Sequence, residues 1–462
     1  IATGKKINSA LDNPTNFFTA ASLDSRASDI NNLLDGIGNG VQVLQAANTG
    51  ITSLQKLVDS AKSVANQALQ TPSGYSQKST VTTAAITGAT ADNLLGPAGA
   101  PTDAAAAAGT VTNNSLTVPV AMTGATLLSG GANTDSVATD FVAGDTIVVN
   151  GNTINFNSGG GTTGTAAGGN LSIDVTTGTV QDIISAINTI TGGTSTLTGG
   201  AITLHTGTAS DLTVSGSGLA KLGLTAGTTA RTPGAPPALQ GKTLTIGATG
   251  GGTATNITFG TGAGQVDTLN ELNAALSGNN LQATVSSDGK ISITTSNDAA
   301  SSTIGTVGGT AAGAGQAFNG LTAAAPVADA AAQLTRANLV NQYNNIINQI
   351  TTTAQDASFN GVNLLGGDTL KLVFNESGKS TLSIQGVTFN PAGLGLSALN
   401  SGTDFIDNIA TNKVLTSLNN ASSTLRSQAS TLGSNLSIVQ IRQDFSKNII
   451  NVLQTGSSNL TL

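Results

Sequence analysis

The sequence predicts an α+β protein: a long antiparallel helical-bundle rod formed by both chain ends, with an inserted β-rich region holding a duplicated small β/α module. Three observations predict it. Near the start, Ile37, Leu44, Ile51, Val58 and Ala65 recur every seven residues, and Leu33, Gly40, Ala47, Leu54, Ala61 and Ala68 fill the positions between them. Near the end, Leu418, Leu425, Leu432 and Val439 repeat at the same interval, flanked by Ala421, Ala429 and Leu436. Between the ladders the pattern changes to short alternating strands and Gly-rich turns. A seven-residue apolar repeat keeps one helix face turned to a partner helix. The two ends are therefore expected to pack together, with Ile37, Leu44, Ile51, Leu54, Val58, Leu418, Leu425, Leu432, Leu436 and Val439 in the shared core.

In chain order, residues 1–28 read as a polar opening, because the stretch from Thr3 to Pro14 is rich in helix breakers. The first long helix is expected from about Ser28 to Leu69. Gly36, Gly38, Gly40 and Gly50 lie inside it, each costing about 1 kcal/mol against Ala; such glycines permit neighbours to approach closely. Residues 71–138 form an Ala/Thr/Gly-rich piece, β-rich or a connector. Residues 139–232 and 233–330 read as two copies of a β-rich module. The first copy has strands at 146–150 and 153–156, a helix at 180–188 and a closing strand at 201–204. The second has strands at 242–246 and 256–259, a helix at 266–276, and a closing hairpin at 282–285 and 290–293 that turns at Asp288-Gly289.

Helical periodicity resumes after Asp329, with Leu339, Tyr343, Ile346 and Ile350 on one face. A compact loop at 357–365 and a β-hairpin at about 370–384 follow. The last helix is expected from near Asp404 to about Gln454, with Gly433 as its only internal breaker. The rod is thus residues 1–70 and 331–462. The opening Ile1-Ala2-Thr3-Gly4 reads as the interior of a longer protein, so this form is expected to be trimmed at both ends and monomeric.

Composition narrows the function. The 462 residues include no Cys or Trp, one His, and only 9% charged residues. Disulfides and thiolate metal sites are excluded. From Gln70 to Ala330, 5 Lys or Arg stand against 13 Asp or Glu, a net of −8, and the remainder carries +1. An acidic insert suits neither nucleic acid nor an anionic membrane, and no apolar run is long enough for membrane insertion. His205 reads as a residue on a strand surface, since a triad or a His-rich metal site needs partners that the chain lacks. Asp135, Asp140 and Asp145 recur at five-residue intervals and could hold calcium, but EF-hand spacing is missing and solvated loop charges are the favoured reading. Gly159 to Gly161 lack the Lys and helix start of a phosphate cradle. Phe405 is expected in the core. No catalytic, cofactor or metal residues are assigned, and the chain is not read as an enzyme.

Several motifs resemble bacterial flagellin. Gly4, Ile7-Asn8-Ser9-Ala10 and Asp12, followed by the heptad helix with Leu54-Gln55-Lys56, resemble its N-terminal region. Phe359-Asn360-Gly361 with Leu364-Leu365 resembles the loop after the second core helix, and Leu425-Arg426-Ser427 resembles the C-terminal core helix. The match spans about 1–70 and 331–462, with the insert falling between the first and second core helices. The resemblance implies a structural subunit of the extracellular flagellar filament, supporting motility by helical self-assembly on the cell surface. It further implies other flagellin subunits, an export chaperone, and cap and hook-junction proteins as partners. Ile7, Asn8, Phe17 and Phe18 are the expected subunit interface. Flagellins detected by the animal innate immune receptor carry Arg at the place of Val58; that receptor is expected to recognise this protein poorly. A metalloprotease insert, known in some flagellins, needs a second His and is excluded. The alternative is a flagellin-like cell-surface protein that binds a polysaccharide or host glycan through its insert.

Overall fold

The computed structural model describes residues 4–113 and 118–462. Ile1, Ala2 and Thr3 of the expected opening, and 114–117 of the expected 71–138 piece, lie outside the described residues. Among the described residues five α-helices occur: α1 (Pro14–Gln70), α2 (Val180–Thr191), α3 (Leu269–Ser277), α4 (Ala330–Asp356) and α5 (Asn408–Thr461).

Three of these build the rod. Helix α1 starts well before the expected Ser28. The breaker cluster ends at Asn13-Pro14, and that pair is itself a start signal. The Asn13 side chain accepts from the Asn16 N–H at 3.1 Å, and Pro14 occupies the first turn, where its missing N–H costs nothing. Residues 15–27 continue the helix because Ala20 and Ala27 are buried. It stops at Thr71, which is extended and precedes Pro72. Helix α5 likewise begins later and ends later than expected. Asp407 caps it by accepting from the Ala410 N–H at 3.0 Å, and the helix runs through Gly456 as well as Gly433. Gly456 faces Leu23, which lies 3.5 Å from where a Cβ would stand.

The two helices run antiparallel. Leu23 lies beside Gly456, Ala27 and Ile30 cluster with Leu453 and Ile450, and Gly38 lies near Gln443. Further along, Ile37, Leu44, Ile51, Leu54, Val58, Leu418, Leu425, Leu432 and Val439 are all buried in one cluster, with Leu436 half-buried against it. Helix α4 adds Leu339, Tyr343, Ile347 and Ile350 to the same core; Ile346 is only half-buried there. A hairpin of Thr369–Val373 and Thr381–Gln385 closes the rod on the α1 side. Gly40 and Gly50 explain how it fits: a Cβ at Gly40 would stand 2.5 Å from Leu372, and one at Gly50 would stand 2.6 Å from the Ala357 Cβ and 2.7 Å from Leu365.

The insert is nested rather than linear. One hydrophobic cluster joins Val81, Ile86, Leu94 and Leu95 to residues between Leu239 and Phe318. Strand Thr80–Thr82 pairs with Ile291–Thr295, which pairs with Leu281–Val285. A second cluster has its buried residues between Met122 and Leu224, with Ala108 and Val111 packed against it, and strand Ala105–Ala107 joins its small sheet by pairing with Ala201–His205. The expected division into 71–138, 139–232 and 233–330 therefore differs from the packing. The 71–138 stretch is shared between both cores, because its strands complete sheets with residues far along the chain, Thr82 opposite Ser292 and Ala105 opposite His205. The chain crosses between the two units on an antiparallel pair of linkers, with Gly99 N–H donating to the Ala235 carbonyl at 2.7 Å and Thr102 bridging Thr232. It crosses between rod and insert where Tyr75–Gln77 pairs with Val327–Ala328.

Both units run hairpin, helix, hairpin. Strands Thr146–Val149 and Asn152–Asn157 precede α2, and Thr243–Ile246 and Thr255–Thr258 precede α3. Each helix opens on a reciprocal cap, Thr179 with Asp182 and Thr268 with Glu271. The second unit's closing hairpin turns through Asp288-Gly289, with Gly289 at φ +78°.

The glycines of α1 give a paired test. Gly36 has open space around a built Cβ, so Gly36→Ala is expected to stabilise by about 0.5–1 kcal/mol. At Gly50 the same methyl meets Ala357 and Leu365, and overpacking of about 1–3 kcal/mol outweighs the propensity gain. Thermal melts should move in opposite directions; equal shifts would show that α1 is not held this closely.

Candidate assembly surface

Helix α5 carries two faces. Leu432, Val439, Ser446, Ile450, Leu453 and Ser457 are buried and turn towards the rod interior. Ile438, Ile441, Phe445 and Val452 are spaced by three, four and seven residues, which puts them on one side of the helix. Ile441, Phe445 and Val452 are 66%, 64% and 66% exposed. A stripe of large apolar side chains in water is unfavourable and makes this side of α5 a candidate interaction surface.

The hairpin edges this stripe. Phe374, Ile441, Arg442 and Phe445 line a groove of about 480 Å³. The Arg442 guanidinium lies 4.8 Å from the Phe374 ring centroid, and its Nη1 donates to the Ser380 hydroxyl at 2.7 Å. Arg442 thereby fixes the hairpin tip against α5.

The expected interface residues lie at the chain's first turn and on the start of α1. Ile7 is half-buried, because the N–H groups of Lys6 and Ile7 donate to the Thr461 carbonyl at 2.8 and 3.1 Å and fold the segment over the end of α5. Asn8 is exposed; its backbone N–H and that of Ser9 donate to Asp12, whose pKa they lower. Phe17 and Phe18 are helical, not in a loop, and meet edge to face at 5.7 Å. Phe17 is half-buried and Phe18 exposed. The α5 stripe was missed in sequence because only a buried face produces a ladder against a partner in the same chain, whereas Ile438, Ile441, Phe445 and Val452 have none.

The weighed alternatives resolve into structural roles. Asp135, Asp140 and Asp145 do not converge. Asp135 accepts from the Asn113 amide and the Thr126 hydroxyl, and Asp140 from the Gly130 N–H. Asp145 receives the Lys221 ammonium, which also sits 5.3 Å from the Phe141 ring centroid. Burial alone would raise the Asp145 pKa, but Lys221, the Val142 N–H and the Ser217 hydroxyl hold it below the usual range. His205 ends a strand, as expected, and its Nδ1 bonds Asp103. That bond, ahead of those from Thr206 and Gly207, lowers the Asp103 pKa. The Gly159 to Gly161 turn cradles a carboxylate of the protein itself. The N–H groups of Thr176, Gly159 and Gly161 and the Thr176 hydroxyl donate to Asp174 and hold it far below the carboxylate range. No group of three or more His, Asp or Glu able to hold a metal occurs among the described residues, and no described helix is long and apolar enough to cross a membrane. Phe405 is buried against Tyr343, the rings meeting edge to face at 5.9 Å.

Residues 1–90 match the model of the bacterial flagellin N-terminal helical region. The match covers all of α1 and the first two short strands after it. The N-terminal part of the chain is thus similar to the helical region of bacterial flagellin. No curated protein sequence matches the chain.

Asp145 and Asp174 both ionise more readily in the fold than in the open chain. The stability they supply is full above the ordinary carboxylate pKa of about 4 and drains away as pH falls through their lower folded values. Asp174→Asn should lower the melting temperature at neutral pH and flatten its decline between about pH 5 and pH 2. An unchanged acid slope would show that Asp174 holds no such network.

Proposed function

We propose that the chain is a subunit of the bacterial flagellar filament that self-assembles into a helical homopolymer and supports motility from the cell surface. One observation carries this reading: the helix that matches flagellin, α1, is fully engaged with α5 along its ladder, while α5 presents an apolar stripe outward. Ladder contacts make the subunit rigid; the stripe and the hairpin groove supply contacts between subunits. Covering one large side chain there yields about 1.5–3 kcal/mol, and repetition along a polymer turns that into stiffness. Ile7, Asn8, Phe17 and Phe18 add contacts at the same end of the antiparallel pair, beside the C-terminal end of α5. The acidic insert keeps the polymer's outer surface soluble. An export chaperone and cap and hook-junction proteins are the partners such a subunit requires. Val58 is buried in the seam, which leaves no side chain at that place for an immune receptor to grip.

The test uses the gene product in its own cells. Ile441→Ser with Phe445→Ser should leave the melting curve of the purified protein nearly unchanged, because both side chains already face water. The concentration needed for polymerisation should rise by at least about tenfold, the equivalent of about 1.4 kcal/mol, and electron microscopy should show short or absent filaments. Normal filaments and swimming in the double variant would remove this surface from the assembly.

A further inference from the structure

Rod and insert meet along a short seam. The Ser301 hydroxyl donates to Asp407 at 2.5 Å, the Ile409 N–H to the Asp298 carbonyl at 3.1 Å, and the Asn408 amide to the Asp298 carboxylate at 3.0 Å. Beside the seam lies a cavity of about 480 Å³. Its lining includes Ser302 of the insert, Tyr343 of α4, Leu396 and Leu399 of the loop after the hairpin, Asp404, and Lys413 of α5.

The polar groups of this cavity are unfinished. Tyr343 lines the cavity and is only 1% exposed, and its hydroxyl makes no hydrogen bond with the described residues. Burial and then the nearby Asp404 push its pKa up to about 12, so it is a neutral hydroxyl at physiological pH. Asp404 uses one carboxylate oxygen to accept the Asn400 N–H at 2.7 Å; the other has no donor among the described residues. Lys413 has no ion-pair partner there either, and Asp404 and Lys413 line one cavity without pairing to each other. Leu396 and Leu399 supply an apolar floor.

We propose that this cavity binds the zwitterion of an α-amino acid with an apolar side chain. The ammonium donates to the free Asp404 oxygen and to the Tyr343 hydroxyl oxygen. The carboxylate accepts from Lys413 and the Ser302 hydroxyl, and the side chain covers Leu396 and Leu399. A simple cation would meet Lys413, and a simple anion would meet Asp404 and Asp407. A neutral polyol would leave two opposite charges unmatched. The reading is independent of filament assembly.

Calorimetry of the whole chain decides it, with L-leucine, leucinamide, N-acetyl-leucine and glucose as probes. Leucine should bind saturably. Leucinamide and N-acetyl-leucine, each lacking one charge, should bind at least about tenfold more weakly. Lys413→Met should weaken leucine by about tenfold while leaving leucinamide unchanged, and Asp404→Asn should weaken leucine while leaving N-acetyl-leucine unchanged. Lys413 is exposed and Asn can still accept the Asn400 N–H, so both variants should melt as the parent does. No saturable heat with leucine, glucose binding as well as leucine, or parental leucine affinity in both variants would each overturn the proposal.

Discussion

The structure depends on the antiparallel seam between α1 and α5. It is long, and it is built largely from small or aliphatic side chains: Ala47, Ala61, Ala65 and Ala68 on one helix, Ala421, Ser422, Ser446 and Ser457 on the other. Small residues let two helices approach closely over many turns, so the gain comes from many modest contacts rather than a few aromatic anchors. The same closeness dictates what else can touch the rod. The hairpin and the 357–365 loop pack against α1 at Gly40 and Gly50, where there is no Cβ to hold them off, and the hairpin turn also meets α1 where Glu376 pairs with Arg26 at 2.8 Å.

The second constraint is the point where the chain leaves the rod. The buried Arg336 of α4 donates from Nε to the Pro72 carbonyl at 2.9 Å, from Nη2 to the Thr71 carbonyl at 2.8 Å, and from Nη1 to the Phe405 carbonyl. One guanidinium thus satisfies carbonyls at the end of α1 and just before α5. Phe405 takes φ +55° there, a conformation that costs a bulky residue about 1–3 kcal/mol. Its ring against Tyr343 and its carbonyl on Arg336 hold it in place. The insert leaves the rod beside this junction and is held to it further by the Tyr75–Gln77 and Val327–Ala328 pair and by the bonds of Asp298 and Ser301 to the start of α5.

What the sequence revealed follows from the range of each interaction. The ladders through Leu44, Ile51, Leu425 and Leu432 were legible because periodicity along one helix is a local signal, and the Asp288-Gly289 turn was legible for the same reason. The start of α1 is harder to place because Asn13-Pro14 is at once a breaker pair and a helix cap with a first-turn Pro. The nesting of the insert was hidden because it rests on pairs such as Val81 with Ile293 and Ala105 with His205, and no local pattern encodes those distances. The α5 stripe is hidden because it has no partner face within the same helix pair, and the Tyr343 cavity because its walls come from separate stretches of chain.

Placing the insert at one end of the rod also settles an electrostatic conflict. The segment from Gln70 to Ala330 carries a net −8, and like-charged subunits repel when their charges come within range. Ile441 lies far along α5 from the cap at Asp407. At 1.5 Å per residue that separation is about 50 Å, whereas the screening length at physiological salt is about 8 Å. The charge of the insert is therefore almost unfelt at the stripe, where in the proposed filament the near-neutral rod would bury Ile441, Phe445 and Val452 against a neighbour. Had the same acidic residues been spread along α5, each buried apolar contact would have had to overcome local repulsion. Concentrating charge in a nested insert leaves the seam and the stripe free to be apolar.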